Sequence, residues 1–487
     1  MRVILFNPYY SFRGSTYVFH RASIPYNLLY IGNYLKQSKV SARIYELGIF
    51  NEKHNHKIKD GVRCGLSDEA ILEILQRENP AIVGITTMYS IFHADVIELT
   101  SLIHKFNPLI RVVVGGNHAS CFPERLLEEG VDQVVVGEGE KAFLSICQGN
   151  TDRIVRLPMV EDLDELPIPK MNVDFFNQYA NVHNPFIMGT KATGIITSRG
   201  CPSNCIYCTV NGVWKNTWRG NSPKRVVDEI EYNIKHYGID EFHFLDDNVS
   251  VDKKRWEGIL DEILRRGVRI KWATPMAYWT IDERILDKMK EAGCYRLSFG
   301  IESGDIETRK FIGKTFPLKR ATEIIKYANK IGLWTITTNI IGFPYETDDQ
   351  IQNTIDYAKD CGTDFACFFN LIPHASSRVY PYFIKEGLIK EKDDIMSIMN
   401  EGGCDTLFFD KCELKALQKQ AYKDFIIHKV FYYLSHPWTI TRKIKSWQDF
   451  KYLARIFRLG LSMVLRSLSA KVSPTSKDFI YGKRQYV

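Results

Sequence analysis

"TSRGCPSNCIYC", residues 197–208, puts Cys201, Cys205 and Cys208 within eight positions, directly after a short apolar run, "TGIITS" (193–198), that reads as a β-strand. Three thiols therefore open a loop at a strand's carboxyl end, with Gly200 and Pro202 helping the backbone to turn. The other eight cysteines, at 64, 121, 147, 294, 361, 367, 404 and 412, are scattered and read as reduced packing residues. Structural zinc takes four ligands, usually as paired C-x2-C units. A C-x3-C-x2-C loop suits a cubane iron–sulfur cluster in which three irons take protein thiolates and the fourth stays open. A zinc knuckle is the alternative.

Downstream of the loop the chain alternates strands and helices. Ser222-Pro223 starts a helix, with serine as N-cap and proline at the first helical position. Its apolar stripe is Val226, Ile230 and Ile234. "EFHFLDD" (241–247), "IKWATPM" (270–276), "YRLSFGIES" (295–303), "TITTNIIGFP" (335–344) and "FACFFNLIP" (365–373) read as further strands. With the first they make six strand–helix units, too few for a closed eight-stranded barrel. The pattern predicts a partial, TIM-like (β/α)6 barrel over 191–390.

Upstream, residues 1–150 predict a doubly wound, Rossmann-like parallel sheet. "RVILFNP" (2–8), "SARIYELG" (41–48), "AIVGITT" (81–87), "RVVVGGNH" (111–118) and "DQVVVGEGE" (132–140) are continuous β-branched runs suited to strands buried on both faces. Ligands of such sheets lie at the strands' carboxyl ends. Here those ends are "NPYY", "TTMYS", "GGNHAS" and "GEGE". Residues 151–190, with the acidic, proline-containing "VEDLDELPIPKMN", read as a linker.

Composition adds limits. The 487 residues suffice for about three domains at ~150 residues each. No apolar run approaches the ~18 residues of a membrane span. "MRVILFNPYY" reads as a first strand rather than a signal peptide, so the expected location is cytoplasmic. The net charge of +7 is concentrated late: from residue 413 onward there are 15 Lys/Arg and 4 Asp/Glu. Residues 391–487 form a basic helical C-terminal region with interleaved aromatics. It reads as a cap on the barrel or as a peripheral membrane contact. No nucleic-acid-binding module accompanies the charge, and no nucleic-acid partner is expected.

The cysteine loop, with Tyr207 before the last cysteine, resembles the radical S-adenosylmethionine (SAM) superfamily, and "FHFLDDNVS", "LSFGIESG" and "NIIGFPYET" follow in the family's order. The resemblance implies that Cys201, Cys205 and Cys208 ligate a [4Fe-4S] cluster whose open iron chelates SAM. It places Tyr207 beside the adenine, Asp246 or Asp247 at the SAM amino group and Glu302 at the ribose. Ser303 and Asn339 are further SAM contacts, and Arg219 would meet the carboxylate. "PHASS" (373–377) stands where many relatives have P-G-T, so the substrate-facing rim departs from the family pattern.

"VVVGGNHAS", "VDQVVVGEGEKAF" and "LDELPIP" are similar to the cobalamin (B12)-binding domain found ahead of some radical SAM domains. That similarity implies backbone approach to cobalamin at Gly115, Gly116, Gly137 and Gly139, with Glu138 among them. Ser90 and Ser120 offer hydroxyls to the nucleotide tail. The D-x-H-x-x-G motif of a cobalt-ligating histidine is absent. His118 is expected against the corrin edge or nucleotide, and Met88 and Tyr89 under the lower face.

The combination implies an enzyme that moves a methyl group from SAM, by way of cobalamin, to an unactivated carbon or phosphorus centre. Its substrate would be a small molecule or peptide, with electrons from an external flavodoxin- or ferredoxin-like donor. The alternatives are a cyclase or rearrangement enzyme using the same cofactors without methyl transfer, and a non-catalytic corrinoid or iron–sulfur sensor.

Overall fold

The computed structural model describes residues 2–13, 24–48, 54–59, 61–172, 176–177, 179, 187–189, 191–390, 398 and 402–468, with side chains up to 458. Its contacts divide into two compact units, one within residues 1–182 and one within 183–393 and 402–470.

The strands in chain order are β1 (Val3–Asn7), β2 (Tyr10–Arg13), β3 (Ala42–Glu46), β4 (Asn55–Ile58), β5 (Gly61–Cys64), β6 (Ile82–Thr86), β7 (Arg111–Gly115), β8 (Gln133–Val135) and β9 (Ile154–Val155) in the first unit. The second unit holds β10 (Ala192–Ile195), β11 (Ser198–Gly200), β12 (Trp218–Gly220), β13 (Glu241–Phe244), β14 (Lys271–Met276), β15 (Cys294–Glu302), β16 (Trp334–Ile341) and β17 (Phe365–Asn370).

In the first unit six parallel strands run in the order β3-β1-β6-β7-β8-β9. The apolar runs are buried on both faces because successive side chains alternate. Ile4, Phe6, Val83, Ile85, Val112 and Val114 enter one core. Val3, Leu5, Ile82, Val113 and Val135 enter the other. The strand order reverses between β1 and β6, and such switch points leave a crevice at the carboxyl ends. A three-stranded antiparallel sheet, β2-β5-β4, is a feature the sequence reading did not include. Its strands are four residues each, and β2 (Tyr10, Phe12 against Ser11, Arg13) shows the apolar alternation that marks a half-buried strand, whereas β4 does not.

In the second unit β10-β13-β14-β15-β16-β17 form a parallel sheet in sequence order, and β10 and β17 are not paired with each other. This is the open six-stranded arrangement expected from the pattern. Helices follow the strands with their own start signals. Ser222 accepts from the Arg225 amide, Asp252 from Arg255, Asp282 from Ile285 and Asp305 from Thr308. Thr347 and Gln350 form a capping box. Edge-to-face packing of Phe244, Trp256 and Trp272 fills the layer between sheet and helices.

The C-terminal helices are part of this unit. Leu414, Ala421 and Phe425 of Lys411–Ser435 share a core with Ile341 and Phe368. Tyr452 and Ile456 of Trp447–Leu468 share another with Tyr295 and Trp334. The buried Lys443 ammonium pairs with the buried Asp364 carboxylate, whose other oxygen accepts from Tyr433 at 2.8 Å. One face of the basic tail therefore caps the last strands of the barrel. No described helix is long and apolar enough to cross a membrane.

Candidate functional site

The cysteine loop leaves β11 at the carboxyl ends of the barrel strands, and backbone together with two carboxylates, the buried Asp246 and the exposed Asp247, fixes its course. Gly200 has φ +90°, and a Cβ there would lie 2.2 Å from the Thr217 carbonyl oxygen, so only glycine fits. The Gly200 amide donates to Asp247 Oδ2 at 3.0 Å. Asp246 Oδ1 accepts from the Thr197 amide at 3.1 Å, from its hydroxyl at 2.8 Å and from Ser198. The loop itself is held by Ile206, whose amide donates to the Ile312 carbonyl and whose carbonyl accepts from the Val379 amide.

All three thiols are partly exposed. They are near enough to one another for Cys201 and Cys205 to raise the Cys208 thiol electrostatically. Burial is the larger cause, and together they push it up to about 11. Burial also raises Cys205, while the Lys314 ammonium opposes that shift. Among the described residues no trio of His, Cys, Asp or Glu converges on one point as a single-ion site. Thiolates that ligate separate corners of a cluster need not converge, so this donor set fits the cluster. Tyr207 lies on the same loop, edge-on to Phe343 at 6.2 Å, and interacts with Cys205 through its hydroxyl.

Glu302 ends β15 in a left-handed conformation, φ +68°, where the register with β16 shifts. A non-glycine residue held there is strained, and such strain gathers at functional sites. Its carboxylate pairs with the buried Lys314 ammonium at 3.2 Å. Lys314 also lies 5.4 Å from the Trp279 ring centre. The sequence reading named Glu302 and missed Lys314, because a lone lysine after "FIG" carries no motif.

The remaining expected SAM contacts divide. Arg219 lies on β12 opposite Arg199, with its guanidinium 5.7 Å from the Trp214 ring centre. Ser303 is fully buried, shares a hydrogen bond with Thr354 at 3.0 Å and accepts from the Asp305 amide, so it has no surface for a ligand. Asn339 is fully buried too, donating to the Cys367 carbonyl, although its Oδ1 has no partner. Asp246 is buried with one oxygen committed to the loop and Oδ2 unpartnered. For Ser303 the expected direct contact is corrected to packing against Thr354, whereas Asn339 keeps one acceptor that no protein group uses. Glu346 of "GFPYET" was not singled out. Its Oε2 accepts from the Gly342 and Phe343 amides at 2.7 and 3.2 Å, and burial raises its carboxyl to about 8.

In the first unit the expected residues gather at the carboxyl ends of β6, β7 and β8. Gly116 has φ +119° and a Cβ there would meet the Thr87 carbonyl at 2.5 Å, so the β6 and β7 loops touch through backbone. The Thr87 amide donates to the Gly115 carbonyl, and the His118 amide to the Thr87 carbonyl. Ser120 donates to the Gly116 carbonyl and accepts from the Gly137 amide. Glu138 accepts from the Val160 amide at 2.6 Å. A Cβ on Gly139 would meet Ile31 at 2.5 Å, whereas on Gly115 it would make ordinary contact with Val135. Gly137 differs: φ is +88°, but nothing lies within 4 Å of an added Cβ. Met88 and Tyr89 are exposed at this edge, and buried Thr87 Oγ1 has no partner. Open space at a glycine, an orphaned hydroxyl and exposed apolar side chains suit a large flat ligand, so the residues fit cobalamin.

His118 requires correction. It is fully buried, with Nδ1 2.8 Å from Ser90 Oγ and Nε2 2.9 Å from His93 Nδ1; His93 reaches Glu129 at 2.7 Å. Both ring nitrogens are occupied inside the unit, and Ser90 is itself buried. These residues form a buried hydrogen-bonded chain that braces the loop.

The comparisons agree with this division. Residues 195–358 match the family model described as the radical SAM superfamily, and residues 19–146 the model described as the B12 binding domain. An uncharacterized methyltransferase of Pyrococcus horikoshii is 32% identical over 366 residues, 71% of this chain and 78% of that protein. The cytidylyl-2-hydroxyethylphosphonate methyltransferase of Streptomyces wedmorensis is 29% identical over 463 residues, 82% of this chain and 85% of that protein. Among solved structures, the radical SAM methyltransferase TsrM from Kitasatospora setae, with cobalamin and a [4Fe-4S] cluster bound, superposes with a TM-score of 0.64 at 18% identity. That match covers 79% of this chain and 78% of TsrM.

Proposed function

The chain belongs to the radical SAM superfamily, with a B12-binding domain ahead of the radical SAM domain, and from that premise we propose a methyltransferase that delivers the SAM methyl group to an unactivated carbon or phosphorus centre. The observation that carries this reading is one chain holding both parts. One is a three-thiol loop with no fourth cysteine beside it, and the other is an open, glycine-lined set of strand ends.

When bound, the cluster, SAM and cobalamin together supply a 5′-deoxyadenosyl radical and a transferable methyl group. Cys201, Cys205 and Cys208 would hold the cluster. Asp246 and Asp247 hold the start of their loop through Thr197, Ser198 and Gly200. Glu302, held in place by Lys314, offers acceptors for ribose hydroxyls. Tyr207 offers an aromatic edge to the adenine. Glu346 shapes the turn after β16 by accepting two backbone amides. Gly137, Thr87, Met88 and Tyr89 would meet cobalamin. Ser90, His118 and His93 hold that loop from behind.

The substrate is proposed to be a small molecule, in keeping with the phosphonate relative. An external one-electron donor of the flavodoxin or ferredoxin type would reduce the cluster. The domain limits that go with this reading are 1–150, 151–190, 191–390 and 391–487.

The test is anaerobic. Protein with reconstituted cluster and cobalamin receives SAM and a strong reductant, and S-adenosylhomocysteine and 5′-deoxyadenosine are quantified. S-adenosylhomocysteine near-stoichiometric with bound cobalamin is the expected result. 5′-Deoxyadenosine alone would replace methyl transfer with cyclisation or rearrangement, and no SAM cleavage under any reducing condition would leave a sensor.

A further inference from the structure

The C-terminal helices have a second face that the barrel does not use. In Lys411–Ser435, Leu414, Ala421 and Phe425 point into the core, while Phe431 and Leu434 are 68% and 74% exposed. In Trp447–Leu468, Tyr452 and Ile456 are buried while Trp447, Phe450 and Phe457 are exposed, Trp447 at 67%. Their spacing of three and seven places them along one helical stripe. Trp438, on the connection between the helices, is exposed as well. Among the described residues, eight exposed large apolar side chains fall between 427 and 458. Apolar side chains scattered singly over a surface need no explanation, but a concentration on one pair of packed helices does.

The charge around this stripe selects the occupant. Residues 415–458 hold ten Lys/Arg and two Asp/Glu. Lys429 and Lys443 are buried, but Lys419, Arg442, Lys445, Lys451 and Arg458 are exposed. Lys451 lies 5.9 Å from the Trp447 ring centre, and Trp447 stacks on Phe450. Aromatic side chains flanked by cations on helices that lie flat against a folded body match the interface of an anionic bilayer. There the rings enter the headgroup boundary and the cations meet lipid phosphates. A second copy of this chain would bring equally basic surface against it.

We propose that the outer face of these two helices is a peripheral docking surface for anionic phospholipid membranes, with Phe431, Leu434, Trp438, Trp447, Phe450 and Phe457 as the inserting side chains. The inner face caps the barrel and the outer face reads the membrane, which combines the two alternatives left by the sequence. The docking surface does not depend on the proposed reaction.

Truncating the chain ahead of these helices is unsuitable as a test, because it would strip Leu414, Phe425, Tyr452 and Ile456 from two cores. The full chain, with reconstituted cofactors, is instead sedimented with vesicles of phosphatidylcholine alone or mixed with phosphatidylserine. Binding is expected only to the mixed vesicles and should fall as salt rises through the screening range. The double variants Phe431→Ser/Leu434→Ser and Trp447→Ser/Phe450→Ser should each weaken binding about 10-fold or more. Lys445→Glu/Lys451→Glu should weaken it while leaving SAM cleavage in solution unchanged. No binding to mixed vesicles, equal binding to both kinds, or parent-like binding by both aromatic variants overturns the proposal. Self-association of the parent that both aromatic variants abolish, without vesicle binding, would assign the face to a second copy and also overturn it.

Discussion

The two α/β units prepare their strand ends by opposite means. The barrel unit uses side chains: three thiols, a strained Glu302 with its Lys314 partner, and Asp246 and Asp247 gripping the loop. The first unit uses backbone, with Gly116 allowing two loops to touch and Gly137 leaving space. A small, charged ligand is fixed by a few strong donors, whereas a large flat one is fixed by shape. The first kind of site is announced by residue identity and the second by where a side chain is missing.

This contrast can be broken by substitution. The largest effect is expected at the thiols. Alanine at Cys201, Cys205 or Cys208 should abolish SAM cleavage and bound iron but leave cobalamin content near the parent's. Iron analysis and corrinoid absorbance read the two units separately, and three variants that still cleave SAM would remove the cluster assignment.

Next is Lys314→Met, which leaves the Glu302 carboxylate buried without its cation. Breaking a buried pair in this way costs about 3–5 kcal/mol. Thermal unfolding should show that loss, SAM affinity should fall, and Lys314→Met/Glu302→Gln should recover stability but not affinity. Parent-like stability in the single variant would mean that the pair carries no structural load.

The glycines sharpen the other half. Gly116→Ala combines a strained φ with a 2.5 Å approach to Thr87, and should destabilise by about 1–3 kcal/mol. Gly137→Ala meets only the backbone cost, about 1 kcal/mol, because nothing lies near its Cβ. Chemical unfolding should separate them, and cobalamin affinity should drop in Gly137→Ala by more than its stability loss explains. Equal stability losses would show that Gly116 is not a contact point.

The smallest effect concerns Glu346. Its carboxyl titrates near pH 8 in the fold and near 4.5 when unfolded. The native state therefore binds the extra proton between these values, and stability from this group is full below pH 4.5 and lost as pH rises through 8. Glu346→Gln should flatten that part of the stability–pH profile. An unchanged slope would place the pH dependence elsewhere.

Much of this arrangement was legible beforehand. The parallel sheets followed from apolar runs that alternate between two cores, as Val3 and Leu5 against Ile4 and Phe6 demonstrate. The Ser222 cap and Pro223 start were read correctly, since both act within one turn of chain. The cysteine loop was legible because its chemistry is written in adjacent residues. Errors came where the partner is remote. His118 looked like a loop residue near a ligand, yet it bonds to Ser90 and His93, 28 and 25 residues away. Ser303 faces Thr354 from 51 residues away.

The sequence by itself determined the order of the parallel strands, the close spacing of three thiols after one of them and the excess of positive charge in the tail, because each depends on neighbours within a few residues. Only the tertiary structure decided that Lys314 serves Glu302, that Asp246 and Asp247 grip the cysteine loop, and that one tail carries both a buried and an exposed apolar face. Those outcomes depend on which surfaces the fold removes from water. Burial and pairing are properties of distant segments brought together, and no local pattern encodes them.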